Sequence, residues 1–163
     1  MDLVIMWIRK SFNLVQDRGS DSTQQRLAED QKWTLLLDVR SPAEYEVSHL
    51  QGAIRVDPET TDMDHLVKDL GLADCDEERE VVFYCTVGYR SSKLAQKMEE
   101  FLASDAGQTL RGALRVYNLE GGLVKWANES KPMVDRFGQP TKLVHPYNNM
   151  WAYLVKPEFR APL

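Results

Sequence analysis

Short apolar runs alternate with amphipathic stretches through the middle of the chain. Two of the runs are almost continuously apolar, which is typical of strands that are buried on both faces of a parallel sheet. The runs lie at 34–39, 53–56, 81–84 and 114–117. Because helical patterns separate these strands, the sequence predicts an α/β fold with a central parallel sheet of four to five short strands and helices on both faces.

Capping and breaking residues place the helices between the strands. Ser41, Pro42 and Glu44 supply an N-cap, a proline in the first turn and a glutamate that closes a capping box, so a helix begins there. The other predicted helices lie at 23–30 with Ser22 as its cap, from Thr61 to Gly71, from the loop after residue 90 to about Gly107, and around Trp126.

The two ends of the chain depart from this pattern. Residues 16–22 are polar, as in a linker, whereas 133–163 contain prolines and many aromatic rings, a content that argues against a disordered tail. We therefore divide the chain into an N-terminal extension at 1–20, a domain at 21–132, and an aromatic C-terminal extension at 133–163 that packs on the domain. One helical turn is expected within 149–154.

An apolar run at residues 3–8 leaves three interpretations of the N-terminal segment open. The run is too short to cross a bilayer, which takes about 20 apolar residues, and its basic residues follow it, whereas in a secretory signal they come first. We favour a helix or strand packed on the domain. The alternatives are membrane or partner contact by this segment and organelle targeting.

Composition and charge restrict the class of protein. With 163 residues and a net charge of −5, the chain suits one domain with extensions, and it lacks the basic surface of a nucleic-acid binder. Two cysteines do not make a disulfide framework, which indicates the cytoplasm or another reducing compartment. Cys75 and the histidines show no metal-ligand spacing, and we expect neither a metal nor a cofactor.

Polar residues follow the predicted strands at the edge where parallel sheets bind ligands. These residues are Asp38, Asp57, Cys85 and Asn118. Cys85 is followed by a tight turn with Gly88 and Arg90 and then by a helix. The N–H groups of such a turn converge on one point, and a helix N-terminus favours a thiolate there. Cys85 is therefore the candidate nucleophile, and it needs no histidine partner.

Several short segments of residues 21–132 are informative when they are considered together. They are LLDVR at 36–40, EY at 44–45, HLQGA at 49–53, CTVGYRS at 85–91, NLEGG at 118–122, and Trp126. Each segment alone is weak evidence. In their order and spacing, however, they resemble the single-domain rhodaneses, a family of sulfurtransferases.

The resemblance implies a rhodanese-like fold and a ping-pong reaction. Cys85 would take sulfane sulfur from thiosulfate or a persulfide donor and pass it, through a Cys85 persulfide, to cyanide, a thiol or a protein acceptor. The substrate-binding loop residues would be Thr86, Val87, Gly88, Tyr89, Arg90 and Ser91, whose N–H groups hold the outer sulfur. Many relatives carry arginine where this chain has Thr86, which counts against efficient use of anionic thiosulfate.

Two alternatives lie close to this interpretation. Cysteine phosphatases of similar fold have one more residue between cysteine and arginine than the four between Cys85 and Arg90. Their longer loop encloses a phosphate, whereas the shorter loop suits a single sulfur atom. The main alternative is a non-catalytic or regulatory rhodanese module that binds a partner protein, although such modules commonly lack the cysteine.

The roles of the neighbouring residues stay partly open. We favour Asp38 and Arg40 as supporting residues in ion pairs near the loop, in which Glu44 and Glu120 are further candidate carboxylates. Arg90 either contacts a substrate anion or forms a salt bridge that shapes the loop.

Three further residues near the predicted site have expected roles. Tyr89 is either a surface aromatic residue or a wall of the acceptor pocket. His49 is expected to stabilise a turn by hydrogen bonding. Cys75 is expected to be unreactive in its acidic segment, and the alternative is a resolving cysteine that attacks the Cys85 persulfide.

Overall fold

The computed structural model describes residues 1–29, 32–73 and 77–163. Cys75, and with it the alternative of a resolving cysteine, lies outside these ranges. Within them, the strands of the central sheet are β1 (Asp17–Arg18), β2 (Thr34–Asp38), β3 (Ile54–Arg55), β4 (Arg79–Tyr84) and β5 (Leu114–Leu119). All neighbouring strands run parallel, in the order β1-β5-β4-β2-β3. The predicted α/β fold class is thereby confirmed, with β4 at the centre of the sheet.

Helices connect these strands and extend to both ends of the chain. In the described ranges they are α1 (Asp2–Ser11), α2 (Ser20–Glu29), α3 (Pro42–Val47), α4 (Met63–Asp69), α5 (Tyr89–Ala103), α6 (Gly122–Asn128) and α7 (Asn149–Ala152). Short 3₁₀ segments cover Asp105–Leu110 and Pro157–Phe159, and β6 (Met133–Val134) pairs with β7 (Pro140–Thr141) in an antiparallel ribbon.

Apolar side chains cover both faces of the sheet, as the continuous apolar runs predict. Along β4, Val81 and Phe83 belong to the core that packs against α4 and α5. Val82 and Tyr84 belong to the opposite core, which packs against α1, α6 and the C-terminal segment. Alternate residues of one strand therefore contribute to two cores, and the end of β4 is fixed from both sides.

Residues 17–18, which the sequence places in a linker, form the edge strand β1. Asp17 aligns with Asn118 and Arg18 with Leu119 of β5. The Asn118 N–H donates to the Gln16 carbonyl at 2.9 Å. Two polar residues show no apolar alternation, so only their pairing with β5 reveals this strand.

Three predicted helix boundaries also differ from the structure. Helix α2 begins at Ser20, before the predicted cap Ser22. Helix α4 is capped by Asp62, not Thr61, because the Asp62 carboxylate accepts from the His65 N–H at 3.0 Å. Helix α5 ends at Ala103, and Gly107 lies in the 3₁₀ segment that follows.

The segments before residue 20 and after residue 132 contribute side chains to the core. Helix α1 buries Ile5 and Ile8. From the C-terminal segment, Met133, Val144 and Val155 are each at most 2 % exposed and belong to the core beside α6. In the parts of the chain that the structure describes, no helix is both long and apolar enough to span a membrane.

Candidate active site

Cys85 directly follows the central strand β4 and is only 1 % exposed. Its Sγ accepts hydrogen bonds from the backbone N–H groups of Gly88 at 3.2 Å and Ser91 at 3.4 Å. Gly88 has a φ of +107°, a conformation that favours glycine and turns the chain into α5. The loop therefore directs N–H groups at the sulfur, an arrangement that stabilises negative charge on it.

The N-terminal turn of helix α6 binds the backbone of this loop. The N–H groups of Leu123 and Val124 donate to the carbonyls of Cys85 and Thr86 at 2.9 Å and 3.0 Å. Gly122, which has a φ of +59°, makes the close approach of α6 to the loop possible. A Cβ at this position would lie 2.5 Å from the Thr86 carbonyl oxygen. The sequence indicates Gly122 only as part of the segment at 118–122, because no spacing rule reveals a contact with the loop that follows Cys85.

Arg90 is bound within the protein by Glu44. Two hydrogen bonds of 2.8 Å join its guanidinium to the two carboxylate oxygens, and a third of 2.9 Å reaches the Thr86 hydroxyl. The other face of Arg90 meets the Tyr147 ring, 4.1 Å from the guanidinium carbon to the ring centroid. In this structure Arg90 thus shapes the loop, and its charge is balanced by a carboxylate.

Glu44 sits at the centre of this ion pair because the predicted capping box holds it. The Ser41 N–H donates to the Glu44 carboxylate at 3.2 Å, and the Glu44 N–H donates to the Ser41 hydroxyl at 3.3 Å. Burial on its own raises the pKa of the Glu44 carboxyl, but the Arg90 guanidinium outweighs this and holds that pKa at about 2. The pair is therefore ionised at neutral pH.

Asp38 and Arg40 form a second, fully buried ion pair beside the loop. Arg40 Nε and Nη2 each lie 2.7 Å from an Asp38 oxygen, and Nη2 also donates to the Ser48 carbonyl at 2.6 Å. The Tyr84 hydroxyl donates to Asp38 at 2.7 Å, and burial raises the pKa of Tyr84 well above its ordinary value. Neither Asp38 nor Arg40 lines the cavity that reaches Cys85, and their ion pair joins the end of β2 to the Ser48 carbonyl after α3.

Ser91 connects the sulfur to strands β5 and β1. Its hydroxyl oxygen lies 3.3 Å from Cys85 Sγ and 2.6 Å from Asn118 Oδ1. Asn118 Nδ2 in turn lies 3.0 Å from Asp17 Oδ1. The sequence places Asn118 at a strand end, but it gives no sign of Asp17, which it assigns to the linker.

A cavity of about 390 Å³ opens onto Cys85. Its wall consists of the loop and Lys93, Trp7 of α1, Pro58 and Glu59 after β3, and Tyr147, Asn148 and Trp151 of the C-terminal segment. Tyr89 is 37 % exposed and stacks on Trp7 with a centroid distance of 5.4 Å. Both terminal segments therefore contribute aromatic walls to the entrance, and Tyr89 is one of those walls.

The remaining polar candidates do not line this cavity. His49 Nδ1 lies 2.9 Å from the Tyr45 carbonyl, and its ring stacks on the Tyr45 ring. Asp57 accepts from the Glu59 N–H in a turn, and Glu120 is paired with Arg9. Across 1–29, 32–73 and 77–163, no cluster of histidine, cysteine or carboxylate side chains could hold a metal ion.

Comparison with known proteins links this geometry to a family. The model of the rhodanese-like domain matches residues 20–129. A tRNA uridine(34) hydroxylase of Yersinia pestis (strain Pestoides F) is 32 % identical over 111 residues, which cover 68 % of this chain and 27 % of the hydroxylase. This chain thus spans about a quarter of the length of the curated relatives it matches.

Two solved structures show the same fold at low sequence identity. A rhodanese-like domain from an Anabaena protein has a TM-score of 0.54 and 19 % identity, covering 73 % of this chain and 78 % of that one. The thiosulfate sulfurtransferase of Pseudomonas aeruginosa has a TM-score of 0.58 and 16 % identity, covering 93 % of this chain and 25 % of that one. At these identities the similarity concerns the fold alone.

Proposed function

This chain belongs to the rhodanese-like domain family, and we propose that it is a sulfurtransferase that carries sulfane sulfur on Cys85. The observation that carries the proposal is the convergence of the Gly88 and Ser91 N–H groups on a cysteine sulfur at the end of the central strand. The four intervening residues to Arg90 give the loop room for one additional sulfur atom. Thr86, Val87 and Tyr89 complete this substrate-binding loop.

The proposed reaction has two steps that share the loop. The Cys85 thiolate attacks the sulfane sulfur of the donor, the donor's sulfur–sulfur bond breaks, and the donor leaves with the bonding electron pair. An acceptor nucleophile then attacks the outer sulfur of the Cys85 persulfide. The bond to Cys85 breaks and its electron pair returns to Sγ. Charge on the transferred sulfur in both steps is stabilised by the loop N–H groups.

A persulfide suits this site better than thiosulfate as the donor. Thiosulfate is a dianion, and the only cation within the loop, Arg90, has both terminal nitrogens on Glu44 and one face against Tyr147. Binding a dianion through the terminal nitrogens of Arg90 would require this largely buried pair to open, which is unfavourable. Lys93 adds one cation to the cavity wall, farther along α5.

Intact-mass analysis tests the proposal. After incubation with a small-molecule persulfide, the wild-type chain should gain the mass of one sulfur atom, and cyanide should remove it as thiocyanate. Cys85→Ser should gain none, whereas Cys75→Ser should behave as the wild type. Absence of any gain with both persulfide and thiosulfate would instead support the regulatory-module alternative, in which the domain binds a partner protein.

The curated relatives are named for the hydroxylation of tRNA, an activity that we do not propose for this chain. Those hydroxylases are much longer than this chain, which covers 27 % of their length. A net charge of −5 also gives no support for binding to a polyanion.

A further inference from the structure

The Ser91 hydroxyl has two neighbours that both accept hydrogen bonds. Its oxygen lies 2.6 Å from Asn118 Oδ1 and 3.3 Å from Cys85 Sγ. Ser91 and Asn118 are 0 % and 1 % exposed, so bulk water is not an alternative partner. A serine has one hydroxyl proton, which serves only one of these neighbours at a time.

The orientation of the Asn118 amide decides where that proton lies. Asn118 Nδ2 is 3.0 Å from Asp17 Oδ1 and 3.4 Å from the Leu119 carbonyl, both of which are acceptors. The second oxygen of Asp17 accepts from Arg9 Nε at 2.9 Å, which fixes the carboxylate. The NH₂ end of the Asn118 amide must therefore face Asp17. Its carbonyl oxygen, which can only accept a hydrogen bond, must face Ser91.

We propose that Asn118, oriented by Asp17, holds the Ser91 hydroxyl proton away from Cys85. Ser91 then presents oxygen lone pairs to the sulfur. That arrangement accepts a hydrogen bond from the S–H of a neutral thiol and disfavours a thiolate. Asn118 and Asp17 are thus positioning residues that withhold one hydrogen-bond donor from the sulfur, while the N–H groups of Gly88 and Ser91 remain to stabilise its negative charge.

Other charged groups lie around the cavity or the loop, and the substitutions in the test below leave them unchanged. Arg90 lies on the same loop and is paired with Glu44 from α3. Lys93 of α5 and Glu59 from the segment after β3 line the cavity. None of these four side chains contacts Asn118, so substitutions at Ser91 and Asn118 isolate the hydroxyl proton.

The pH dependence of Cys85 alkylation by iodoacetamide tests the inference in a Cys75→Ser background. Asn118→Leu leaves the Ser91 proton without its amide acceptor, so the hydroxyl turns to the sulfur. The half-maximal pH of alkylation should then fall by about one unit or more, the effect expected of a hydrogen bond to a charged group. Ser91→Ala removes the lone pairs and should move the half-maximal pH in the same direction, by less than about one unit.

The opposite sign in Ser91→Ala would overturn the proposal. A shift to higher pH in that variant would mean that the Ser91 hydroxyl donates to the thiolate in the wild type. Should Asn118→Leu fail to fold, the small Ser91→Ala change still decides, and ultraviolet absorbance of the thiolate gives a second titration. Because alkylation does not depend on sulfur transfer, the result separates this inference from the proposed function.

Discussion

At the residue scale, two glycines distinguish backbone strain from a collision with the loop that follows Cys85. Gly112 and Gly122 both have positive φ, +89° and +59°. A Cβ on Gly112 would have nothing within 4 Å, whereas one on Gly122 would lie 2.5 Å from the Thr86 carbonyl oxygen. The pair therefore separates the intrinsic penalty of a left-handed backbone from the role of α6 in holding the loop.

We expect Gly112→Ala to lower the free energy of unfolding by about 1–2 kcal/mol, the penalty of a left-handed residue with a Cβ. Gly122→Ala should lower it by more than about 3 kcal/mol, because the Thr86 backbone must also move. Urea denaturation measures both changes. Equal losses of unfolding free energy in the two variants would contradict the role assigned to Gly122.

The sequence indicates Cys85 and the loop after it, but not the hydrogen bonds that join Ser91 to β5 and β1. Cys85 and Gly88 stand out because a strand end, a glycine and a helix start are local signals. Asp17 and Asn118, by contrast, are joined by a hydrogen bond across 101 positions of the chain. The Ser91 hydroxyl contact with Asn118 depends in the same way on a distant strand, so local sequence signals cannot reveal it.

At the scale of single elements, α1 links the N-terminal segment to the loop that follows Cys85. Its inner residue Ile8 is 3 % exposed, and its Cδ1 would lie 3.8 Å from a Cβ placed on Gly88. Trp7 of the same helix stacks on Tyr89 at the cavity entrance. Packing of α1 should therefore affect both the stability of the fold and access to Cys85.

Ile8→Ala should lower the free energy of unfolding by about 2–5 kcal/mol, as large-to-small changes in a core do. The matched control is Leu3→Ala on the same helix, because Leu3 is 81 % exposed. That change should stay within about 0.5 kcal/mol. Thermal or urea unfolding measures both variants, and a neutral Ile8→Ala would mean that α1 is not docked in solution.

Elements with strong local signals follow from the sequence, whereas elements that depend on pairing with a distant strand do not. The capping box at Ser41 predicted α3 at its observed start, because the cap and the glutamate act within one helical turn. The strand β1 has two polar residues and no apolar pattern, and it is a strand only because β5 supplies its partner. Short paired edges of this kind carry no signal of their own.

At the scale of the whole molecule, two acidic residues at opposite ends of the sheet link stability to pH. Glu44 lies beside the loop that follows Cys85, and Glu80 lies near the start of β4. Hydrogen bonds from Arg18 and then Arg26 hold the pKa of Glu80 at about 2, as Arg90 does for Glu44. An ordinary glutamate has a value of 4.5.

The native state should therefore lose stability as the pH falls from about 4.5 to about 2. In that window the unfolded chain binds protons at both glutamates while the folded chain does not, so stability rises with pH. Urea unfolding as a function of pH measures this slope, and Glu44→Gln or Glu80→Gln should each reduce it.

Alkylation of Cys85 distinguishes the two glutamate variants. Glu44→Gln releases Arg90 from its carboxylate and should change the alkylation rate. Glu80→Gln should leave that rate unchanged, because Glu80 lies at the far end of the strand. Equal effects on Cys85 would mean that the Glu44–Arg90 pair has no particular role in shaping the loop.

The hydrogen bonds from Leu123 and Val124 to the carbonyls of Cys85 and Thr86 have a consequence for biosynthesis. A nascent chain that has emerged only to the end of α5 already contains Cys85 and Arg90. It does not yet contain β5 or the helix that holds the loop in shape. The loop after Cys85 should therefore take its final shape only after residue 124 has left the ribosome and docked, well after Cys85 itself has been synthesised.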